Sequence, residues 1–226
     1  MPTIIAFAGQ KGGAGKSTLA IAAATEFHRR SRRTLLVDAD QQGTAATWGT
    51  VASEVADEDP EYTYPDVIMM GPNLHQQLPS IAAGYDIVII DCPGRDDERQ
   101  RGALAVADIA ILPVTPDTSD VWALSHSVAL VKQAQMFRPT LKAFLLLNKL
   151  RASTSEASEA RETFAEADVS IMATEIGLRI AYGRFANSGR GVIEFAARSK
   201  AAEEISTLVD EIEHFVEPRL QEVVNG

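Results

Sequence analysis

The sequence predicts an α/β fold: a doubly wound, mostly parallel sheet with helices on both faces. Three observations carry this expectation. Short apolar runs recur at residues 3–8, 34–38, 67–70, 86–91, 109–114 and 143–147. Most are apolar throughout rather than alternating, as strands buried on both faces must be. Segments with helical spacing lie among them, so strand and helix alternate. A glycine-rich loop also follows the first run directly and opens the first helix, an arrangement at home in layered α/β sheets.

The helical segments follow from spacing and punctuation. Residues 17–30 are rich in alanine and end in Arg29-Arg30. Residues 119–137 carry Val121, Leu124, Val128 and Val131 at helical intervals and stop before Pro139. Residues 155–167 and 200–216 read the same way. The acidic stretch 54–61, ahead of Tyr62-Thr63-Tyr64-Pro65, reads as a surface loop. No repeat or low-complexity tract interrupts the chain, and its 226 residues fit one domain spanning 1–226. With 46% hydrophobic and 23% charged residues, the chain can build a sizeable core.

Composition narrows the function. The net charge of −10 argues against constitutive nucleic-acid binding, so any DNA contact must come from a local basic patch that assembles conditionally. The one cysteine, Cys92, excludes an intramolecular disulfide and any cysteine-held zinc or iron–sulfur centre. The apolar start is short, lacks a basic lead and runs into Gln10-Lys11-Gly12-Gly13. It is neither a signal peptide nor a membrane span, and a cytoplasmic location is expected.

The chemistry begins at Gly9-Gln10-Lys11-Gly12-Gly13-Ala14-Gly15-Lys16-Ser17-Thr18. It matches the phosphate-loop pattern G-x-x-x-x-G-K-[ST] at Gly9, Gly15, Lys16 and Ser17. Glycines let consecutive N–H groups wrap phosphate oxygens, and the helix N-terminus adds positive potential. The expected ligands are ATP and Mg²⁺, with residues 11–18 at the nucleotide, Lys16 at the β- and γ-phosphates and Ser17 on the metal. Downstream, Asp38-Ala39-Asp40-Gln41-Gln42-Gly43 places two aspartates at the end of the second run. In Ile87-Val88-Ile89-Ile90-Asp91-Cys92-Pro93-Gly94, four apolar residues deliver Asp91 toward Mg²⁺. Cys92 reads as a small buried apolar residue.

The loop K-G-G-x-G-K-[ST], with its additional Lys11, resembles the deviant Walker A motif of the ParA/MinD ATPases. The chain looks like a small ParA-type member without an N-terminal DNA-reading domain, a form that would not act as an autorepressor. The resemblance covers nearly the whole chain and is most specific at residues 9–18, 38–43 and 86–94. It implies a P-loop NTPase-like fold and an ATPase that forms a homodimer around ATP. Lys11 would cross to the partner subunit's ATP and neutralise charge developing during hydrolysis. The stretch 38–43 is similar to the family's D-x-D-x-Q-G, with Gln41 in place of the usual proline. On that mapping Asp40 handles the attacking water and Asp38 lies near the metal. Pro93-Gly94 would form a γ-phosphate-sensing turn, with Gly94 where many relatives carry proline. Asn148 would lie at the adenine.

Residues 176–182 and 189–195 resemble the family's C-terminal stretch. Basic residues gather there at Arg179, Arg184, Arg190, Arg198 and Lys200. By the same resemblance they would form a surface for sequence-independent DNA binding, doubled in the ATP dimer and sensitive to salt. The implied function is partition or positioning: dimers coat the nucleoid until a ParB-like or other cargo adaptor stimulates slow hydrolysis. The alternative is a MinD-like membrane ATPase. It requires a basic amphipathic tail, whereas residues 211–226 hold one arginine and four glutamates, so no membrane is expected. A metabolic or redox ATPase of related fold is a third class, and the absence of further cysteines disfavours one carrying an intersubunit cluster.

Overall fold

The computed structural model describes residues 1–95, 97–116, 121–151 and 156–224. Seven strands form one sheet: β1 (Thr3–Phe7), β2 (Thr34–Asp38), β3 (Asp66–Met69), β4 (Ile87–Asp91), β5 (Ile109–Val114), β6 (Lys142–Leu150) and β7 (Ser170–Gly177). Their order is β3-β2-β4-β1-β5-β6-β7, and every pairing is parallel. The helices are α1 (Lys16–Arg29), α2 (Thr44–Glu58), α3 (Leu74–Ala82), α4 (Asp97–Val106), α5 (Val121–Phe137), α6 (Glu156–Phe164), α7 (Ile180–Phe185), α8 (Val192–Phe195) and α9 (Lys200–Val224).

The period-2 geometry of the central strands builds two cores. Ile4, Ala6, Val88 and Ile90 enter one, which includes residues of α3, α4, α5 and α6. Ile5, Phe7, Ile87 and Ile89 enter the other, which includes residues of α1, α2 and α9. Each of these strands therefore needs apolar residues at every position. The small side chains of Ala20 and Ala22–Ala24 are fully buried within α1, where it packs against the sheet and α9.

The sheet edges differ from the predicted pattern. β3 is a half-exposed edge strand. β7, absent from the predicted strands, alternates: Met172, Thr174 and Ile176 are buried, while Ala173 is exposed. An edge strand with one wet face lacks the continuous apolar run that marks the centre. Its edge is covered by α9, where Glu211 accepts the Ala173 and Thr174 N–H groups at 2.7 and 2.8 Å.

Residues 54–58, expected in a loop, complete α2. Ala45, Trp48, Gly49 and Ala52 bury one helical face, leaving Glu54, Asp57 and Glu58 on the solvated side. The predicted helix starts at Ser119 and Ser155 lie outside the described residues. α9 continues past the predicted end at 216 to Val224.

α1 is tied to α9 through Arg30. Its guanidinium donates to Glu26 at 2.7 Å, to Asp210 at 2.6 Å and to Glu213 at 2.9 Å. The Glu26 side chain is only 1% exposed and also binds Arg29. Removing one partner from a buried ion network leaves a charge without its compensation. Arg30→Met should therefore lower unfolding free energy by about 3 kcal/mol in urea titrations. Arg33→Met, which breaks an exposed pair with Asp86, should leave the urea midpoint close to that of wild type.

Candidate functional site

The sequence-predicted site segments from β1, β2, β4 and β6 meet at the carboxyl edge of the sheet, where parallel α/β sheets leave a crevice. The loop 9–15 leaves the central strand β1. Asp38 ends β2 and Asp91 ends β4. Parallel register sets Phe7 level with Asp91, and Asp38 level with Asp91. The two carboxylates are thus neighbours on adjacent strands, and both residues are completely buried.

Helix α1 opens at Gly15, whose φ of 96° suits glycine, with no side-chain cap and no acidic residue in the first turn. Its first backbone N–H groups remain available for an anion. A Cβ at position 15 would also strike the Asn148 amide. Lys16 is 7% exposed and donates from Nζ to the Lys11 carbonyl at 3.0 Å. Burial pulls its ammonium pKa down, opposed chiefly by Asp91. Lys11 is half-buried, and its Nζ donates to Oγ1 of Thr115, just beyond β5, at 3.1 Å. The two lysines of one loop therefore point to different places. Ser17 and Thr18 are half-buried in the first turn.

Four distant side chains brace this loop. Gln100 Oε1 accepts the Gly9 N–H at 3.1 Å, and Ser127 Oγ accepts that of Gln10 at 3.0 Å. Asn148 Nδ2 donates to the Ala14 carbonyl, and Lys149 Nζ to the Gly13 carbonyl, both at 2.6 Å. The turn after β4 also presses on it. A Cβ on Gly94 would lie 3.3 Å from Lys16 Nζ and 3.4 Å from Gly12 N, so glycine permits this close approach.

The aspartates have different surroundings. Asp38 accepts the Asp40 N–H at 3.0 Å on one oxygen and the Ala46 N–H at 2.9 Å on the other. It was expected near a metal; it lies beside Asp91, but its oxygens serve the turn that presents Asp40. Asp40 is half-buried, and one of its oxygens accepts the Gln42 N–H. Burial pushes the Asp91 carboxyl up to about 7, with Ser17 opposing and neighbouring Asp38 reinforcing the rise. Ser17 is close enough to favour the charged form, yet neither Asp91 oxygen has a partner of good hydrogen-bond geometry. A buried carboxylate left in this state is costly unless a cation or proton joins it. Beside an anion-binding helix start, that fits Mg²⁺, which takes one or two protein ligands and completes its shell with phosphate and water.

A family described as the CobQ/CobB/MinD/ParA nucleotide binding domain matches residues 5–192. The chain belongs to this family. Among its members, maintenance of carboxysome distribution protein A of Halothiobacillus neapolitanus is 30% identical over 210 residues, 92% of this chain and 95% of that one. Chromosome partitioning protein ParA of Myxococcus xanthus is 32% identical over 176 residues, 62% of each chain. The solved structure of the septum site-determining protein MinD from Pyrococcus horikoshii, complexed with Mg-ADP, has a TM-score of 0.71 at 20% identity. It covers 96% of this chain and 98% of its own, and shows the shared fold.

Asn148, two residues before the end of β6, also lines a cavity of about 240 Å³ with Gly177, Leu178, Arg179 and Tyr182. The cavity opens beside the loop, and the Asn148 amide is engaged there by the Ala14 carbonyl and the Lys149 N–H. Among the proposed DNA residues, Arg179 is paired with Glu204, and Lys200 with Glu203. Arg190 is paired with Asp59 and lies 4.9 Å over the Tyr62 ring. Arg184 and Arg198 are exposed. Cys92 is buried as expected.

Sequence reasoning missed Arg99, Gln100, Thr115, Ser127 and Lys149. Only Lys149, adjacent to Asn148, carried a local signal; the others reach the site across 60 or more residues.

The raised Asp91 carboxyl has a defined consequence for stability. Between its unfolded value near 3.8 and its folded value near 7, the folded chain binds more protons than the unfolded one. This residue's contribution therefore falls as pH rises through that window. In EDTA and without nucleotide, Asp91→Asn should melt higher than wild type at pH 8, with the difference shrinking toward pH 5. Mg²⁺ with nucleotide should stabilise wild type more than the variant.

Proposed function

We propose that this chain is an ATP-hydrolysing positioning switch: one domain that dimerises around Mg-ATP and changes partners as it hydrolyses it. The carrying observation is the division of labour between two lysines of one phosphate loop. Lys16 turns back into the loop, to the Lys11 carbonyl, while Lys11 reaches the Thr115 hydroxyl just beyond β5 and would exchange that contact for the facing subunit's nucleotide. The names of the partition and distribution relatives support the same class of work.

Residues 12–16 would wrap the phosphates through backbone N–H groups, and Lys16 would neutralise the β- and γ-oxygens. Ser17 and Asp91 would hold Mg²⁺, which supplies charge neutralisation at the phosphates. Asp38 fixes the turn that aims Asp40 at the attacking water. That water's oxygen bonds to the γ-phosphorus as the bond to the β,γ-bridging oxygen breaks. The products are ADP and inorganic phosphate, with a proton released to solvent. Lys11 from the facing subunit would offset charge on the transferring group, as an arginine finger does. Asn148 would flank the adenine.

The ATP dimer would bind nucleoid DNA without sequence preference and leave it when a ParB-like or other cargo adaptor stimulates hydrolysis. Because Arg179, Arg190 and Lys200 already face acidic partners, Arg184 and Arg198 would carry most of the contact. A thin patch needs the dimer's doubling. Among the described residues, no helix is long and apolar enough to cross a membrane.

Binding to random-sequence duplex DNA with ATP, with ADP and without nucleotide tests this directly. ATP-dependent binding should appear and weaken steeply with salt, and Arg184→Ala with Arg198→Ala should flatten the salt slope. Binding in no state would remove DNA and leave the switch. In sizing experiments Lys11→Ala should abolish the ATP-dependent dimer, whereas Asp40→Ala should accumulate it and reduce turnover by about 100-fold or more. Normal hydrolysis by Asp40→Ala would reassign the water-handling residue.

A further inference from the structure

Helix α4 begins three residues after the Pro93-Gly94 turn, and two consecutive side chains leave it toward different loops. Gln100 is 1% exposed; its Oε1 takes the N–H of Gly9, the first residue of the phosphate loop, while its Nε2 is buried with no partner. Arg99 reaches the other loop. Its Nη1 donates to the Ala39 carbonyl at 2.9 Å and, at 3.4 Å, to that of Met70. Ala39 is the residue between Asp38 and Asp40, and its N–H is itself held by the Asp91 carbonyl at 2.9 Å.

Ala39 is therefore gripped from β4 on one side and from α4 on the other. The same helix fixes the start of the phosphate loop. Gly94, against Lys16, belongs to the segment that leads into this helix. A displacement of that turn passes to α4 through the chain itself, and from α4 to both loops through one hydrogen-bonding side chain each. Burying Gln100 with an unmatched donor carries a cost, and the bond from the buried Gly9 N–H is what the side chain gives in exchange.

We infer that Arg99 and Gln100 are positioning residues that couple the turn after Asp91 to the two halves of the ATP site. Gln100 sets the phosphate loop for binding, and Arg99 sets the Asp40 loop for hydrolysis. This rests on the ATPase reading above. The contacts described are to backbone groups, so each residue acts through the loop it holds. Misplacing a water-handling group by about 1 Å can cost up to about 100-fold in rate.

The test uses the full chain with Arg99→Met, Arg99→Lys and Gln100→Met. Steady-state ATP turnover, titration with a fluorescent ATP analogue and thermal melting are measured together. Arg99→Met should lower kcat about tenfold or more with ATP affinity within about threefold of wild type, and Arg99→Lys should recover part of the loss. Gln100→Met should weaken nucleotide binding about tenfold with kcat within about threefold of wild type, and melting should fall only slightly, because loss of the orphaned donor partly offsets loss of the acceptor for the Gly9 N–H. Parallel losses of kcat, affinity and melting temperature in each variant would reduce both residues to structural ones and overturn the inference. So would an unchanged kcat in Arg99→Met. If the wild-type chain turned over no ATP, the functional reading itself would fall, and with it the role of Arg99.

Discussion

Two aspartates stand level on adjacent parallel strands, both buried, at the mouth of a loop that carries two lysines. Such a pair cannot be stable on packing alone, because desolvation penalises each charge and each carboxylate penalises the other. The structure resolves the conflict unevenly. Asp38 is satisfied by backbone N–H groups from the turn and from the start of α2. Asp91 is left without such donors. The polarity of the site, with one carboxylate consumed by architecture and one kept open, descends from that difference. It also explains why the sheet is parallel where it matters: this register delivers strand ends side by side at one edge, so groups from β1, β2 and β4 meet.

The centre of the molecule was legible because its physics is local. A strand buried on both faces has to be apolar at each position, and β2 and β5 match their predicted spans to the residue. The phosphate loop was legible because close backbone wrapping requires glycines in a fixed spacing, and its place between β1 and α1 is as predicted. The periphery was harder to read. β7 has one wet face, so its alternation competes with loop-like polarity. α3, absent from the predicted helices, holds Pro79 within its span. In α2, the acidic residues of the outer face outweighed the buried Ala45, Trp48 and Ala52 on the inner one.

Within the site, the residues that stand in a recognisable motif were identifiable, while side chains that reach the loops from distant helices were not. Gln100, Ser127 and Arg99 are ordinary residues in ordinary helices. Only the fold brings them to Gly9, Gln10 and Ala39. The basic cluster shows the opposite failing. Along residues 179–200, Glu204, Asp59 and Glu203 meet three of the five cations, a pairing that a count of charges does not show. Sequence gives the inventory of charges, whereas folding decides which of them remain available.

The single thiol of the chain sits at Cys92, fully buried between Asp91 and Pro93, and burial raises its pKa far above the ordinary range. A thiol in this state is a poor nucleophile toward alkylating reagents. The native protein is thus a quiet background for site-specific labelling. One cysteine introduced on an exposed helical surface would carry a fluorophore or spin label with little competing reaction. Distances between two labelled subunits could then be followed through a nucleotide cycle without first removing a native residue from the site.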